Sequence, residues 1–232
     1  MKQLLLILSI VLFSQINVFS QEQSAYFQIG TSSESINDAM AEVKTALQNS
    51  GFKVIGEYQP GNTKNLAVVC YTHSELEKIA LDFSDRGSLA AALKVGFQKE
   101  GNSVKISMIN PMYLFYAYFI DGVEKHEKEL AKISNDAKTA MKNVGSEFTP
   151  FGGKLDKEKL QKYHYKVMMP YFKDAEELNK FDSFEDGLKV IQKNLASGKG
   201  NTQKVYELIY PDKKVAVFGV GLLNPDDGEP KF

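Results

Sequence analysis

Two hydrophobic periods alternate along this chain, and the switches between them mark out its elements. Tyr26 to Gly30 has the short alternation of a first strand. Ser35 then opens a helix, in which Ile36, Ala39, Met40, Val43, Ala46 and Leu47 recur at three- and four-residue steps. That spacing is one face of a 3.6-residue period, and Asp38 stands three residues after Ser35 as a capping-box partner. Gly51 is placed to end the helix. Phe52 to Tyr58 reads as a strand, Pro60-Gly61-Asn62 as a turn, Leu66 to Tyr71 as a buried strand and Ser74 to Phe83 as a short helix. Leu89 to Gln98 and Val104 to Ile109 pair as a hairpin about Lys99 to Asn102. Asn110-Pro111 stops the sheet, and a long helix is predicted from there to about Asn143. Its main stripe is Tyr116, Ile120, Val123, Leu130, Ile133, Ala137 and Met141.

Gly145 to Gly153 reads as a loop between two halves. A small helix near Lys157 to Gln161 follows, then an extended segment from Tyr163 to Pro170. Ser183 opens a second amphipathic helix to about Leu195, Gly198 to Gly200 is a loop, and Lys204 to Tyr210 pairs with Val215 to Leu222 about Pro211-Asp212. The halves echo each other. Ser35-Ile36-Asn37-Asp38 aligns with Ser183-Phe184-Glu185-Asp186, and Leu66 to Val69 with Val215 to Phe218. A partial repeat of a strand–helix–hairpin unit accounts for this, at a spacing too long for a solenoid.

The first twenty residues change the picture. Met1-Lys2, the apolar run Leu4 to Phe13 and the small-residue site at Val18-Phe19-Ser20 have the order of a secretory signal peptide. The expected organisation is a leader over 1–20, an α+β domain over 21–144 and a C-terminal α+β extension over 145–232. The expected location is secreted or periplasmic. No later stretch reaches the roughly 18 apolar residues of a membrane helix, so no span is expected after cleavage.

Charge is balanced, with 28 basic against 29 acidic side chains. That gives no field for nucleic acid or anionic membranes, so neither is expected as a partner. An apolar share of 43% is ample for a core. Cys70 is the one cysteine, so stability must come from packing rather than an internal disulfide.

The run from Ser35 through Gly51-Phe52-Lys53-Val54-Ile55, Leu66 to Tyr71, the hairpin and Ile109-Asn110-Pro111-Met112-Tyr113 resembles the domain of unknown function 302 family. The resemblance covers roughly residues 26 to 142. It implies a TATA-binding-protein-like α+β fold, a curved antiparallel sheet with helices on one face. It brings no settled activity, cofactor or catalytic residue set. The segment Lys162 to Pro170 and the last hairpin are similar to a C-terminal extension of secreted relatives.

Candidate chemistry is sparse. Cys70 and His73 form a Cys-x-x-His that offers half a soft metal site or a nucleophile pair. A strand's two-residue period, however, puts them on opposite faces. An inert, buried Cys70 is the simpler reading. His126 sits among Glu124, Lys125, Glu127 and Lys128, which reads as a solvated helix face. His164 with Met168 and Met169 would suit copper but supplies one imidazole only. No Gly-x-Ser-x-Gly elbow is present. The Asp226-Asp227-Gly228-Glu229 cluster fits no spaced calcium loop.

The aromatic cluster Tyr113, Phe115, Tyr116, Tyr118 and Phe119 remains. Packing between the halves explains it, while a sharper reading makes Tyr113, Phe115, Tyr118 and Phe119 the lining of an apolar groove. The resulting expectation is a non-enzymatic binding or interaction module of the cell envelope, with no cofactor. Its partner would be a small apolar ligand or an envelope protein, and open sheet edges are compatible with a homodimer. The alternative class is an enzyme or metal carrier built on dispersed residues such as Cys70, His73 and Glu57.

Overall fold

A computed structural model describes residues 22–83, 86–164, 168–169, 171, 174 and 176–224. Six strands, β1 (Gln23–Ser32), β2 (Lys53–Tyr58), β3 (Leu66–Thr72), β4 (Leu93–Glu100), β5 (Ser103–Ile109) and β6 (Thr149–Leu155), form one antiparallel sheet in the order β2-β3-β4-β5-β1-β6. The mixed α+β class is the expected one, and α1 (Ile36–Asn49) packs on one face of this sheet. All six predicted apolar positions of α1 are buried. Ser35 Oγ accepts from the Asp38 amide at 3.2 Å and donates to the Asp38 carboxylate at 2.6 Å, so one amide of the helix start is capped and the capping hydroxyl is held in place.

The sheet's inner face is set by alternation. Val69 lies opposite Val95, and Val95 opposite Met108, and all three are fully buried against the helical layer. That layer comprises α1, the short α2 (Ser74–Ala80), α3 (Pro111–Tyr118) and α4 (Glu127–Met141). Asn110 ties the start of α3 to the sheet. Its fully buried amide donates to the Ser24 carbonyl at 2.8 Å, while its Oδ1 accepts from the Met112 amide at 3.2 Å.

Two expectations are corrected here. The long helix is broken: Phe119 leaves the helix with ψ 84°, and Asp121 and Gly122 take φ values of 56° and 113° before the chain turns into α4. Asp and Gly are residue types that enter the left-handed region at low energy. The turn carries Phe119 inward, where it stacks between Phe83 and Phe115. The Gly145–Gly153 loop, expected to separate two halves, instead runs into β6. That strand pairs along β1 from Gln23 opposite Leu155 to Gln28 opposite Thr149, so the first sheet takes its last strand from beyond the expected boundary.

After α5 (Lys157–Gln161), the remaining elements are α6 (Phe184–Ala196) and the hairpin β7 (Thr202–Tyr210) and β8 (Val215–Leu222). Ser183 caps α6 as Ser35 caps α1, accepting from the Asp186 amide at 3.0 Å and donating to its carboxylate at 2.7 Å. Helix then hairpin thus occurs twice, as α1–β2–β3 and α6–β7–β8. The second hairpin lies over β2 and β3 on the sheet face away from α1. Leu208 and Val217 are buried in its contact with the core, and the Tyr210 hydroxyl donates to Glu77 of α2 at 2.7 Å. On its outer side α6 covers it, with Gln192 donating to Glu207 at 3.2 Å. Among the described residues no helix is long and apolar enough to cross a membrane.

Candidate functional site

The second hairpin covers only part of the outer sheet face. The uncovered part, over β3, β4, β5, β1 and β6, is a cleft of about 570 Å³. Its floor follows from strand register. The tight Gly101-Asn102 turn sets Glu100 opposite Ser103, which in turn sets Gly96 opposite Ser107, and Val68 lies opposite Gly96 on the other side. Two small residues side by side make the floor deep. A Cβ built on Gly96 would come no nearer than 4.0 Å to its closest neighbour, the Ser107 carbonyl oxygen.

Apolar walls rise around that floor. Tyr26 of β1 and Phe151 of β6 stack with ring centroids 5.3 Å apart, and both stay more than two-fifths exposed. Ile109, which pairs with Tyr26, extends the same surface. Leu89, Leu114 and Tyr118 form one side, and Tyr206 from β7 closes the side nearest the hairpin. Exposed large apolar side chains gathered in one concavity are uncommon on a monomer's surface and mark contact sites.

The polar groups in the cleft are few. Lys94, Gln98, Lys105 and Ser107 point to it, and among the described residues its lining holds no carboxylate. Lys105 pairs with Glu100 at 3.0 Å, whereas Lys94 makes no ion pair among the described residues. Burial pushes the Tyr206 phenol up to about 12, helped by the nearby Cys70 and Tyr118 groups, and burial likewise raises Tyr118. Both therefore present neutral hydroxyls at ordinary pH.

The four aromatic residues of the expected groove are dispersed by the helix break. Tyr118 lines the cleft. Tyr113 is half-buried nearby and packs on the core. Phe115 and Phe119 have no exposed surface and belong to the core stack with Phe83, at 5.6 Å and 4.5 Å between rings. Once Asp121-Gly122 turns the chain, the face that would have carried these rings outward is folded inward. Tyr26, Phe151, Gly96, Lys94 and Tyr206 were not singled out from the sequence. Their one local signal is the outward Lys94-x-Gly96 and Lys105-x-Ser107 alternation, small residues at matching positions of two paired strands.

Cys70 and His73 face apart. Cys70 is 1% exposed beneath the second hairpin, and burial lifts its thiol to about 11, with Lys94 pulling weakly the other way. His73 caps α2, its Nδ1 accepting from the Glu75 amide at 3.2 Å, and its ring meets Phe52 edge-on. Glu57 pairs with Lys44 of α1 at 2.8 Å on the helical side. His126 lies 3.4 Å from Asp82 and against Phe83. His164 packs against Tyr171; residues 165–167 and 170 of the predicted extended segment lie outside the described residues, as does the 226–229 acidic cluster. Among the described residues no group of three or more His, Cys, Asp or Glu side chains is placed to hold a metal ion.

No family model and no curated protein matches the chain. Among solved structures it is similar in fold to the crystal structure of an uncharacterized conserved protein, DUF302, from Bacillus stearothermophilus. Sequence identity is 13% and the TM-score 0.41, with 51% of this chain and 95% of that chain covered.

Proposed function

We propose that this protein is an exported binding module that holds a small, largely apolar ligand in the cleft on its outer sheet face. One observation carries the reading: stacked Tyr26 and Phe151 stay exposed beside a floor hollowed by Gly96 and Ser107. A volume of about 570 Å³ is that of a small-molecule site, for which roughly 300–1,000 Å³ is usual. The lining comes from six separate strands and a helix, so the concavity is formed before any ligand arrives. The apolar lining with a few placed polar groups is the composition such sites have.

Export rests on the charge, apolar run and cut site of residues 1–20. Cleavage after Ser20 leaves Gln21 first, which the mass of the chain recovered from the envelope or medium of its own host checks. A recovered chain that still begins at Met1 overturns the export reading.

Gly96→Leu tests the cleft. The backbone at Gly96 needs no left-handed conformation and its Cβ has open space, so a leucine fills the floor without strain. The neutral fluorescent probe N-phenyl-1-naphthylamine should bind the wild type and bind Gly96→Leu at least about tenfold more weakly, roughly 1.4 kcal/mol. The melting temperature should stay within a few degrees. Equal probe binding in the two proteins removes the cleft as the site.

A further inference from the structure

We infer that the cleft selects ligands joining an apolar body to an anionic head, and that Lys94 receives the head. This rests on the binding reading above and adds the ligand's charge. Among the described residues, two cations and no carboxylate line this concavity, in a chain whose overall charge is −1. One cation, Lys105, is satisfied by Glu100. Lys94 has no acidic partner among the described residues, although the chain carries 29 acidic side chains.

Its place in the floor is fixed by pairing. Lys94 lies opposite Cys70 in the β3–β4 register and shares its outward face with Gly96, two residues on. The hairpin covers Cys70 itself, so Lys94 stands where the hairpin's wall meets the open floor, with Tyr206 and Tyr118 also lining the cleft. An ammonium and the Tyr206 phenol hydroxyl are donors suited to a carboxylate, sulfonate or phosphate. The stacked rings of Tyr26 and Phe151 lie at the β1–β6 end of the same face. Ile109, which pairs with Tyr26 and is one residue beyond the Val95–Met108 pair, stands between them and Lys94, with Gly96 and Ser107 flooring the cleft alongside. An elongated amphipathic anion spans that arrangement, head at Lys94 and body toward the rings. A second copy of the chain is disfavoured because the concavity is walled by Tyr206 on one side and by Leu89 and Tyr118 on another.

Two probes with one aromatic skeleton test this: 1-anilinonaphthalene-8-sulfonate and its uncharged parent, N-phenyl-1-naphthylamine. Lys94→Gln should raise the sulfonate's Kd about fivefold, the upper end for an exposed ion pair, and leave the parent's Kd unchanged. Lys94→Arg should retain sulfonate binding, and added salt should weaken it in wild type more than in Lys94→Gln. A Lys94→Gln protein that loses both probes equally, or neither, overturns the inference and leaves the apolar cleft standing. If neither probe binds the wild type, the cleft reading fails and this one with it. A wild-type dimer that Gly96→Leu turns into a monomer in sedimentation assigns the face to a second copy and overturns the inference as well.

Discussion

Phe119→Ala should lower the free energy of unfolding by about 3–5 kcal/mol, the range for removing a fully buried aromatic ring. Phe119 is wholly buried, with Phe83 stacked at 4.5 Å and Phe115 at 5.6 Å. Truncation removes the ring's transfer free energy and leaves a cavity between two aromatic faces. Those faces belong to the segment after α2 and to α3, each held by its own backbone contacts, so the gap cannot close by a simple side-chain shift. The stacking geometry adds about 0.5–1.5 kcal/mol beyond area. Urea unfolding measures the loss. Naphthylamine affinity, read well below the new midpoint, should be unchanged, since Phe119 is absent from the cleft lining. A loss under about 1 kcal/mol, or a large change in affinity with stability intact, would contradict this placement.

Legibility in the sequence followed the range of the forces involved. Elements whose signal is local were readable. The α1 face was complete because six apolar residues repeat on one side of a polar helix, and its Ser35–Asp38 start is a two-residue chemistry. The break after α3 was not, because Ile120 and Val123 continue a helical spacing and only the core's demand for Phe119 opposes it. Asp121-Gly122 was the available hint. Strand β6 escaped because it is an edge strand exposed along nearly its whole length, so it has no hydrophobic alternation to read. Backbone pairing with β1 holds it, and backbone pairing leaves no pattern in side chains. The cleft is the extreme case. Tyr26, Phe151 and Tyr206 lie far apart in the chain and meet through sheet order β5-β1-β6 and the docking of a second hairpin.

That docking is itself open to a decisive substitution. Gly56→Val should release the β7–β8 hairpin from the sheet and expose Cys70. A Cβ at position 56 would lie 2.1 Å from the carbonyl oxygen of Val205 and 2.8 Å from its carbonyl carbon. Both are backbone atoms in mid-strand, so no rotamer change relieves the overlap, and β7 must move as a body. Overpacking alone typically costs about 1–3 kcal/mol. Movement also uncovers Leu208 and Val217 and breaks the 2.7 Å Tyr210–Glu77 bond, each buried apolar side chain contributing roughly 1.5–3 kcal/mol. Losses on that scale exceed what one small hairpin can retain, whereas α1 and α4 pack on the other face and keep the six-stranded sheet folded.

The reporter is the lone thiol. In the wild type Cys70 is 1% exposed with its pKa near 11, so labelling should be slow at neutral pH. Release removes both the cover and the burial that raised the pKa, so labelling should accelerate by at least about tenfold as the thiolate fraction recovers. Tyr206 leaves with the hairpin and takes one wall of the cleft, so naphthylamine affinity should fall in the same variant. Fast labelling with unchanged affinity would separate the hairpin from the site. Slow labelling with unchanged stability would mean that the hairpin does not rest on Gly56. Cys70 accessibility and ligand affinity are therefore expected to move together, because one hairpin both buries the thiol and walls the cleft.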